Sequence, residues 1–409
     1  MTYPRFLKEK ILKALDVSPI VLLTGGRQTG KTTLMRELAK EKGYDFISLD
    51  NLRYLSAARE DPIGMLEQFT APIIIDEVQR APELALPMKM KVDEERKPAM
   101  YLLTGSSNPL VAPKLNDSLA GRMFIFHLWP LSQAELRQSK PDVLEMLFAK
   151  DWCPQKYIRW EHAEMIETLL KGGYPTVQNL AYDMREEWFS QHLRTLLERD
   201  IQDLTHIRKL LELPNLLRLL ADRTSALMNV SELARTLQIP VSTVTVYLSL
   251  LEALFLVVRQ PAWHKNMTKK MAKAPKMYLV DTAMIAYLVG ADARRLSHDL
   301  HLLGRMFETF IVLEILKLMS WCSIRLQSYH FRTASGIEVD MVLENRSGEI
   351  VGIEIKMSET VRGEDFKGLR TLQQEVGSNF VRGVVLYPGS DVVAFGENLY
   401  ALPVMALFV

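Results

Sequence analysis

The sequence predicts a multidomain α/β protein: a P-loop parallel-sheet core, a helical segment, a winged helix and a second α/β domain. Three observations predict it. A strand, a glycine loop and a helix follow one another near the start. A helix-turn-helix pattern with a strand behind it lies past the middle. Near the end, two alternating strands carry acids and a lysine on a shared face. At 409 residues the chain is long enough for two to four domains of the usual ~100–200 residues. The expected division is 1–135 for the P-loop core, 136–205 for a helical segment, 206–275 for the winged helix and 276–409 for the second α/β domain.

The first element is the octet Gly25-Gly26-Arg27-Gln28-Thr29-Gly30-Lys31-Thr32, followed by Thr33. It fits the phosphate-loop pattern G-x-x-x-x-G-K-[ST]. Ile20 to Leu23 before it reads as a buried parallel strand, and Thr32 to Glu41 after it as an amphipathic helix with Leu34, Leu38 and Ala39 on one side. Glycines let the backbone wrap a polyphosphate without Cβ clashes. Successive N–H groups and the helix start then form an anion site. Lys31 is placed for the β- and γ-phosphates, and the Thr32 hydroxyl for Mg²⁺.

Hydrolysis needs a magnesium carboxylate and a group that positions water. The apolar run Pro72 to Ile75, ending in Asp76 and Glu77, supplies both. Asp76 is expected to hold Mg²⁺ with Thr32, and Glu77 to orient or activate the attacking water. A further buried strand, Tyr101 to Thr104, leads into Gly105 and Ser106. Thr104 and Ser106 are both candidates for a polar γ-phosphate sensor, and the sequence does not choose between them. Arg122, ahead of a strand from Met123 to Leu128, is placed as an arginine finger, with a subunit interface as one setting.

Composition narrows the class. Fifty basic residues face 49 acidic ones, so a global polyelectrolyte effect is absent and any nucleic-acid contact needs a local patch. Cys153 and Cys322 stand far apart, which points to two reduced thiols rather than a disulfide framework. The N-terminus is polar and charged, and no apolar run reaches the ~18 residues of a membrane span. A soluble cytoplasmic protein is expected, with no membrane partner.

Residues 18 to about 135, with GGRQTGKT, IIIDEVQR, LLTGSSN and SLAGR, resemble the ATPase half of a group of prokaryotic AAA+-like proteins whose C-terminal half is of unknown function. The resemblance implies ATP rather than a guanine nucleotide, and it implies that the helical segment is a lid. The lack of an NKxD guanine signature agrees.

Leu131 to about Leu204 reads helical, interrupted at Pro141, Pro154 and Lys171-Gly172-Gly173-Tyr174-Pro175. That last break reads as a hinge or a plain turn. Trp188 to Asp203 reads as a charged helix on a solvated or interdomain face. In the winged helix, Ser231 to Leu237 reads as a helix with Ser231 as N-cap. Gln238 to Pro240 is the turn. Val241 to Ala253 is the recognition-helix candidate, with Val244, Leu248 and Leu251 toward the core. Its outer positions Ser242, Thr243 and Thr245 lack bidentate base-reading groups. Beyond it, His264, Lys265, Lys269, Lys270, Lys273 and Lys276 form a basic stretch suited to DNA phosphates.

At the end, Gly336 to Leu343 and Ile350 to Lys356 alternate strictly, joined by a hairpin at Asn345 to Gly348. The pairing presents Asp340, Glu354 and Lys356 as neighbours, with Glu338 on the same face as Asp340. Two carboxylates, Asp340 and Glu354, suit Mg²⁺, and a lysine beside them suits phosphodiester cleavage. The D-x₁₃-E-x-K pattern resembles the restriction-endonuclease-like (PD-(D/E)XK) nucleases. The resemblance adds an acid from the first helix, here Glu308, and an αβββαβ order. The expected function is an ATPase whose nucleotide state controls this nuclease-like domain on DNA, as a possible homo-oligomer. The alternative is an ATP-dependent signalling or scaffold switch that cleaves nothing.

Overall fold

A computed structural model describes residues 3–106, 118–152, 155–197, 212–266 and 273–409. Ser107, Asn108, Cys153, Glu198 to Asp203, Lys269 and Lys270 lie outside the described residues.

Five parallel strands form the first sheet, β1 (Ile20–Thr24), β2 (Asp45–Ser48), β3 (Ile73–Asp76), β4 (Tyr101–Gly105) and β5 (Met123–His127), in the order β2-β3-β4-β1-β5. β1, β3 and β4 are buried along their whole length, which is why their sequences are unbroken apolar runs rather than alternating ones. Helix α1 (Leu7–Leu15) precedes β1, and α2 (Lys31–Lys42) follows the phosphate loop. Gly30 at φ 98° opens α2 and Gly43 at φ 69° closes it, with Leu34, Leu38 and Ala39 buried as expected. Because all five strands run the same way, the loops after β1, β3 and β4 meet at one sheet edge.

The middle of the chain is helical. It contains α3 (His162–Lys171), α4 (Tyr182–Thr195), α5 (Leu213–Asp222), α6 (Val230–Leu237) and α7 (Val241–Ala253). Trp188 in α4 packs on the core and stacks on His192 at 4.6 Å, so this face is less solvated than its charges suggest. The N-cap of α6 is Asn229, whose side chain accepts from the Glu232 N–H, and not Ser231. Val244, Leu248 and Leu251 of α7 are buried as expected. An antiparallel ribbon follows, β6 (Val257–Gln260) with β7 (Lys276–Leu279), so this unit continues past residue 275. The two helices and β6 lie where the sequence placed them, while the partner strand β7 was not read from it.

The second sheet is mixed. Its strands are β8 (Leu326–Arg332), β9 (Glu338–Asn345), β10 (Ile350–Ile355), β11 (Phe380–Tyr387), β12 (Val393–Gly396) and β13 (Leu399–Pro403), in the order β12-β13-β11-β10-β9-β8. The long helix α8 (Leu300–Trp321) shares a core with Met341, Leu343, Ile353 and Val384. Helix α9 (Lys367–Val376) packs with Val339, Val342 and Val385. The expected αβββαβ order is therefore present. The Asn345 side chain accepts from the Ser347 and Glu349 N–H groups and sets the β9–β10 turn.

One apolar core runs from Ala134 to Phe408 and joins the middle to the C-terminal sheet. Buried polar contacts fix that union. Glu314 accepts from the Gln133 N–H at 2.6 Å, and Lys317 donates to Glu314 at 2.7 Å and to the Leu131 carbonyl at 3.0 Å. The buried Asp281 accepts from the Gly173 N–H at 2.7 Å, which fixes the Gly172–Gly173 break in place. No helix among the described residues is long and apolar enough to cross a membrane.

Candidate functional site

The strand register predicts the first site. Ile75 of β3 lies beside Leu103 of β4, so the next residues, Asp76 and Thr104, come level. The Thr104 hydroxyl donates to Asp76 Oδ1 at 2.6 Å and accepts from the Glu77 N–H at 3.0 Å. Thr32 Oγ1 lies 3.0 and 3.1 Å from the two Asp76 oxygens, and Ser48 Oγ adds a contact at 3.2 Å. Thr104 is thus buried beneath both acids. Ser106 touches the Glu77 carboxylate itself, at 3.1 Å, and accepts from Gln79 Nε2 at 2.9 Å. Gln79 also donates to Glu77. Glu77 has φ 61°, a left-handed conformation costing on the order of 1–3 kcal/mol. Its carboxylate is held from two sides, and its backbone is strained where the carboxylate has to point.

The phosphate loop is tightly built. Lys31 Nζ donates to the Gly25 and Gly26 carbonyls, each at 2.9 Å. A Cβ on Gly25, which has φ +148°, would meet the Leu128 carbonyl oxygen at 2.4 Å. Arg5 braces the loop from outside, donating to Thr29 O at 2.7 Å, Trp129 O at 2.6 Å and Glu135 Oε1 at 3.1 Å. Gln28 takes φ 60°. Thr29 is buried and bonds to Gly26 O, while Arg27 and Thr33 lie toward the rim. The donor set fits a magnesium nucleotide: a glycine-lined turn, a helix start, a lysine and a Thr32–Asp76 pair. Magnesium commonly binds one or two carboxylates plus phosphate oxygens.

Beside this loop sits a residue from the other half of the chain. Phe255, at φ 56°, lies 4.5 Å from the His127 ring, and a Cβ on Gly26 would stand 3.7 Å from Phe255 Cβ. His127 also meets Trp129 at 4.4 Å. Burial, aided by Lys31 and Arg5, pushes the His127 pKa down to about 3, so the ring is neutral at physiological pH. The sequence reading missed Arg5, Ser48, Gln79 and Phe255. Gln79, two residues past Glu77, was within reach of a motif argument; the others were not.

Arg122 is elsewhere. It precedes β5 at the sheet edge where Met123 pairs Ile20, while the phosphate loop leaves β1 from Thr24. At ~3.3 Å per residue the two ends lie more than about 10 Å apart. Arg122 makes a bidentate pair with Asp93, at 2.5 and 2.9 Å. It does not act on its own subunit's nucleotide. The pair is exposed and screened by water, so it adds little to stability. Arg122→Ala is expected to leave turnover of the dilute protein unchanged, and a turnover loss that appears only at high protein concentration would reveal a role across subunits.

The second cluster joins Asp340, Glu354 and Lys356, as the alternating pattern anticipated, with Glu308 beside them as the resemblance implied. Lys356 Nζ donates to Glu354 at 2.8 Å, and Asp340 Oδ2 accepts from the Ile355 N–H at 2.9 Å. Glu338 instead pairs with Arg332 on the neighbouring strand. The unexpected member is Lys276. It is buried rather than part of a DNA-facing stretch, and it donates to Glu308 at 2.8 Å and Asp340 at 3.1 Å. Tyr278 Oη lies 3.3 Å from Glu308 and 3.1 Å from Gln260 Oε1. Burial and the Asp340 charge raise the Glu308 pKa to about 7 and that of Glu354 to about 8. Burial works against the Lys276 ammonium, but Asp340 and Glu308 outweigh it and its pKa is raised well above the usual lysine value. Among the described residues, no group of three or more His, Cys, Asp or Glu is arranged to hold a metal ion. The acids supply hard oxygen donors, but the position between Glu308 and Asp340 is taken by the Lys276 ammonium.

Of the basic stretch, Lys265 is exposed and Lys273 donates to the Arg332 carbonyl at 2.8 Å.

Residues 17–137 match the family model of an AAA domain. Residues 162–295 and 303–407 match two domains of unknown function, DUF8612 and DUF4143. Uncharacterized proteins of Mycobacterium tuberculosis and Mycobacterium bovis are each 28% identical over 396 residues, 96% of this chain and 82% of theirs. An uncharacterized protein of Haemophilus influenzae is 20% identical over 332 residues, 76% of this chain and 77% of its own. Among solved structures, a Walker-type ATPase of Pyrococcus abyssi is similar at 16% identity and TM-score 0.43, covering 69% of this chain and 94% of that one. The RuvB Holliday junction branch migration motor of Thermotoga maritima is similar at 18% identity and TM-score 0.31, covering 65% and 94%. The family match over residues 17–137 makes the N-terminal core an AAA-type ATPase domain, carried ahead of a DUF4143 domain.

Proposed function

We propose that this protein is an ATP-hydrolysing switch whose nucleotide state is transmitted to its C-terminal half through Phe255 and the β6–β7 ribbon. The observation that carries this is the position of Phe255. It lies against the His127 ring and beside Gly26 of the phosphate loop, and the strand that follows it ends at Gln260, bonded to Tyr278 and through it to Glu308. A change of less than an ångström at Gly26 therefore meets a paired ribbon, and packed elements tend to shift as units rather than bend.

The bound magnesium nucleotide would supply the scissile γ-phosphate and the Lewis acid. Lys31 would leave the Gly25 and Gly26 carbonyls to engage it. Thr32 and Asp76 would hold the metal side, with Thr104 fixing Asp76. Glu77, oriented by Ser106 and Gln79, would direct water at the γ-phosphate.

A second reading makes the C-terminal domain a restriction-endonuclease-like nuclease acting on DNA with Mg²⁺. The αβββαβ order favours it, as does the buried Glu354 Oε2, which has no hydrogen-bond partner. DNA contact would run through the winged helix, Lys265 and Lys273, with Lys269 and Lys270 outside the described residues.

The test of transmission is hydrogen–deuterium exchange of the full chain with and without ATP, in a Glu77→Gln background that holds the nucleotide. Exchange at residues 255–260 and 276–279 is expected to change. A response confined to the phosphate loop and Asp76 would sink the proposal. In parallel, linear, branched and single-stranded DNA are incubated with ATP and Mg²⁺ or Mn²⁺. Nicks that vanish in Asp340→Ala would move the conclusion to the second reading.

A further inference from the structure

The cluster around Asp340 is complete in acids and in lysines, yet one of those lysines does not belong to its sheet. Lys276 comes from β7, outside the six-stranded sheet, where its backbone pairs with Gln260 on one side and Leu227 on the other. Its side chain is 5% exposed, and its ammonium lies between Glu308 of α8 and Asp340 of β9. Asp340 Oδ2 is already taken by the Ile355 N–H, and Glu308 Oε1 is shared with Tyr278. A divalent cation using Asp340 and Glu308 would have to approach a buried ammonium within a few ångströms, and two cations in low dielectric repel strongly.

We propose that Lys276 is a resident cation, which fills the position between Glu308 and Asp340 and excludes a divalent ion for as long as β7 stays in place. The ribbon is what makes the device conditional. β6 follows directly from Phe255 on the phosphate loop, and β7 is its only strand partner among the described residues. The ribbon carries the lysine's backbone, so a shift of the ribbon would draw the ammonium away from both acids. The acids would then be an uncompensated buried pair, which is strongly unfavourable unless another cation enters. This goes beyond the nucleotide switch: it says what the ribbon does at its far end, and it assigns the incoming ligand as a hard divalent cation.

The test reads metal binding and not cleavage. Mn²⁺ is titrated into the nucleotide-free full chain by calorimetry and by the electron paramagnetic resonance signal of free Mn²⁺. Four proteins are compared: wild type, Asp340→Asn, Lys276→Met and Lys276→Met with Asp340→Asn. Wild type and Asp340→Asn are expected to bind Mn²⁺ alike. Lys276→Met is expected to bind it at least about tenfold more tightly, with a thermal midpoint that Mn²⁺ raises. The double variant is expected to lose that gain. Lys276→Arg keeps the cation and should bind as wild type does.

Wild-type binding that falls in Asp340→Asn would overturn the proposal, and this comparison holds even if Lys276→Met fails to fold. So would a folded Lys276→Met that gains no affinity. Either outcome leaves the exchange test of the nucleotide switch untouched, so the two can fail separately.

Discussion

Glu77→Gln is expected to lower ATP turnover by about 10²–10⁴-fold, the usual contribution of a general base, while nucleotide binding is retained. Gln keeps the shape of Glu and can still meet Ser106 and Gln79, so the site should not collapse. What it loses is the basic oxygen aimed by those two partners. The left-handed backbone at Glu77 is unchanged by the substitution, which keeps the comparison clean. Single-turnover hydrolysis beside equilibrium binding of a fluorescent ATP analogue separates the two effects. Turnover within about tenfold of wild type would mean that another group positions the water.

Lys31→Ala is the second large effect. A phosphate-binding cation in a buried site is worth about 10²–10³-fold in rate, on the scale of a lost oxyanion contact. Here Lys31 is 5% exposed and bonded to two loop carbonyls, so its removal also touches the loop itself. Leaving buried acceptors without a donor costs about 1–3 kcal/mol. The melting midpoint without nucleotide therefore has to be measured with the turnover. A normal midpoint with lost turnover assigns Lys31 to the nucleotide. A strongly lowered midpoint assigns part of the loss to the loop. Unimpaired ATP binding and turnover would remove the phosphate-loop reading altogether.

The first site was legible in the sequence because its parts are local. A strand, a turn and a helix start place Gly25 to Thr32, and a short strand places Asp76 and Glu77. Period-two alternation likewise brought Asp340, Glu354 and Lys356 to one hairpin face. Other residues needed the fold. Lys276 read as one of several surface lysines, because nothing nearby in sequence marks its burial against Glu308 and Asp340. Phe255 read as the start of a wing strand, and only the tertiary packing puts it on Gly26. Arg122 differs for the opposite reason, and only for its own chain's nucleotide. Its local context was suggestive, but strand direction places it at the sheet edge away from the phosphates. Thr104 and Ser106 differ in depth: the first is buried under both acids, and the second meets the Glu77 carboxylate.

The shared core from Ala134 to Phe408 has a consequence for how such a protein can be taken apart. Met341 and Val384 from the last third bury the same apolar volume as Leu169 and Leu216 from the middle. A chain cut between the two matched segments, near residue 300, would leave both fragments with a raw apolar face. The nucleotide core keeps apolar cores of its own, but it is tied to the rest by the Arg5–Glu135, Phe6–Trp321 and His127–Phe255 contacts. The middle helices and the carboxylate sheet would then come apart only together, although they match two different family segments.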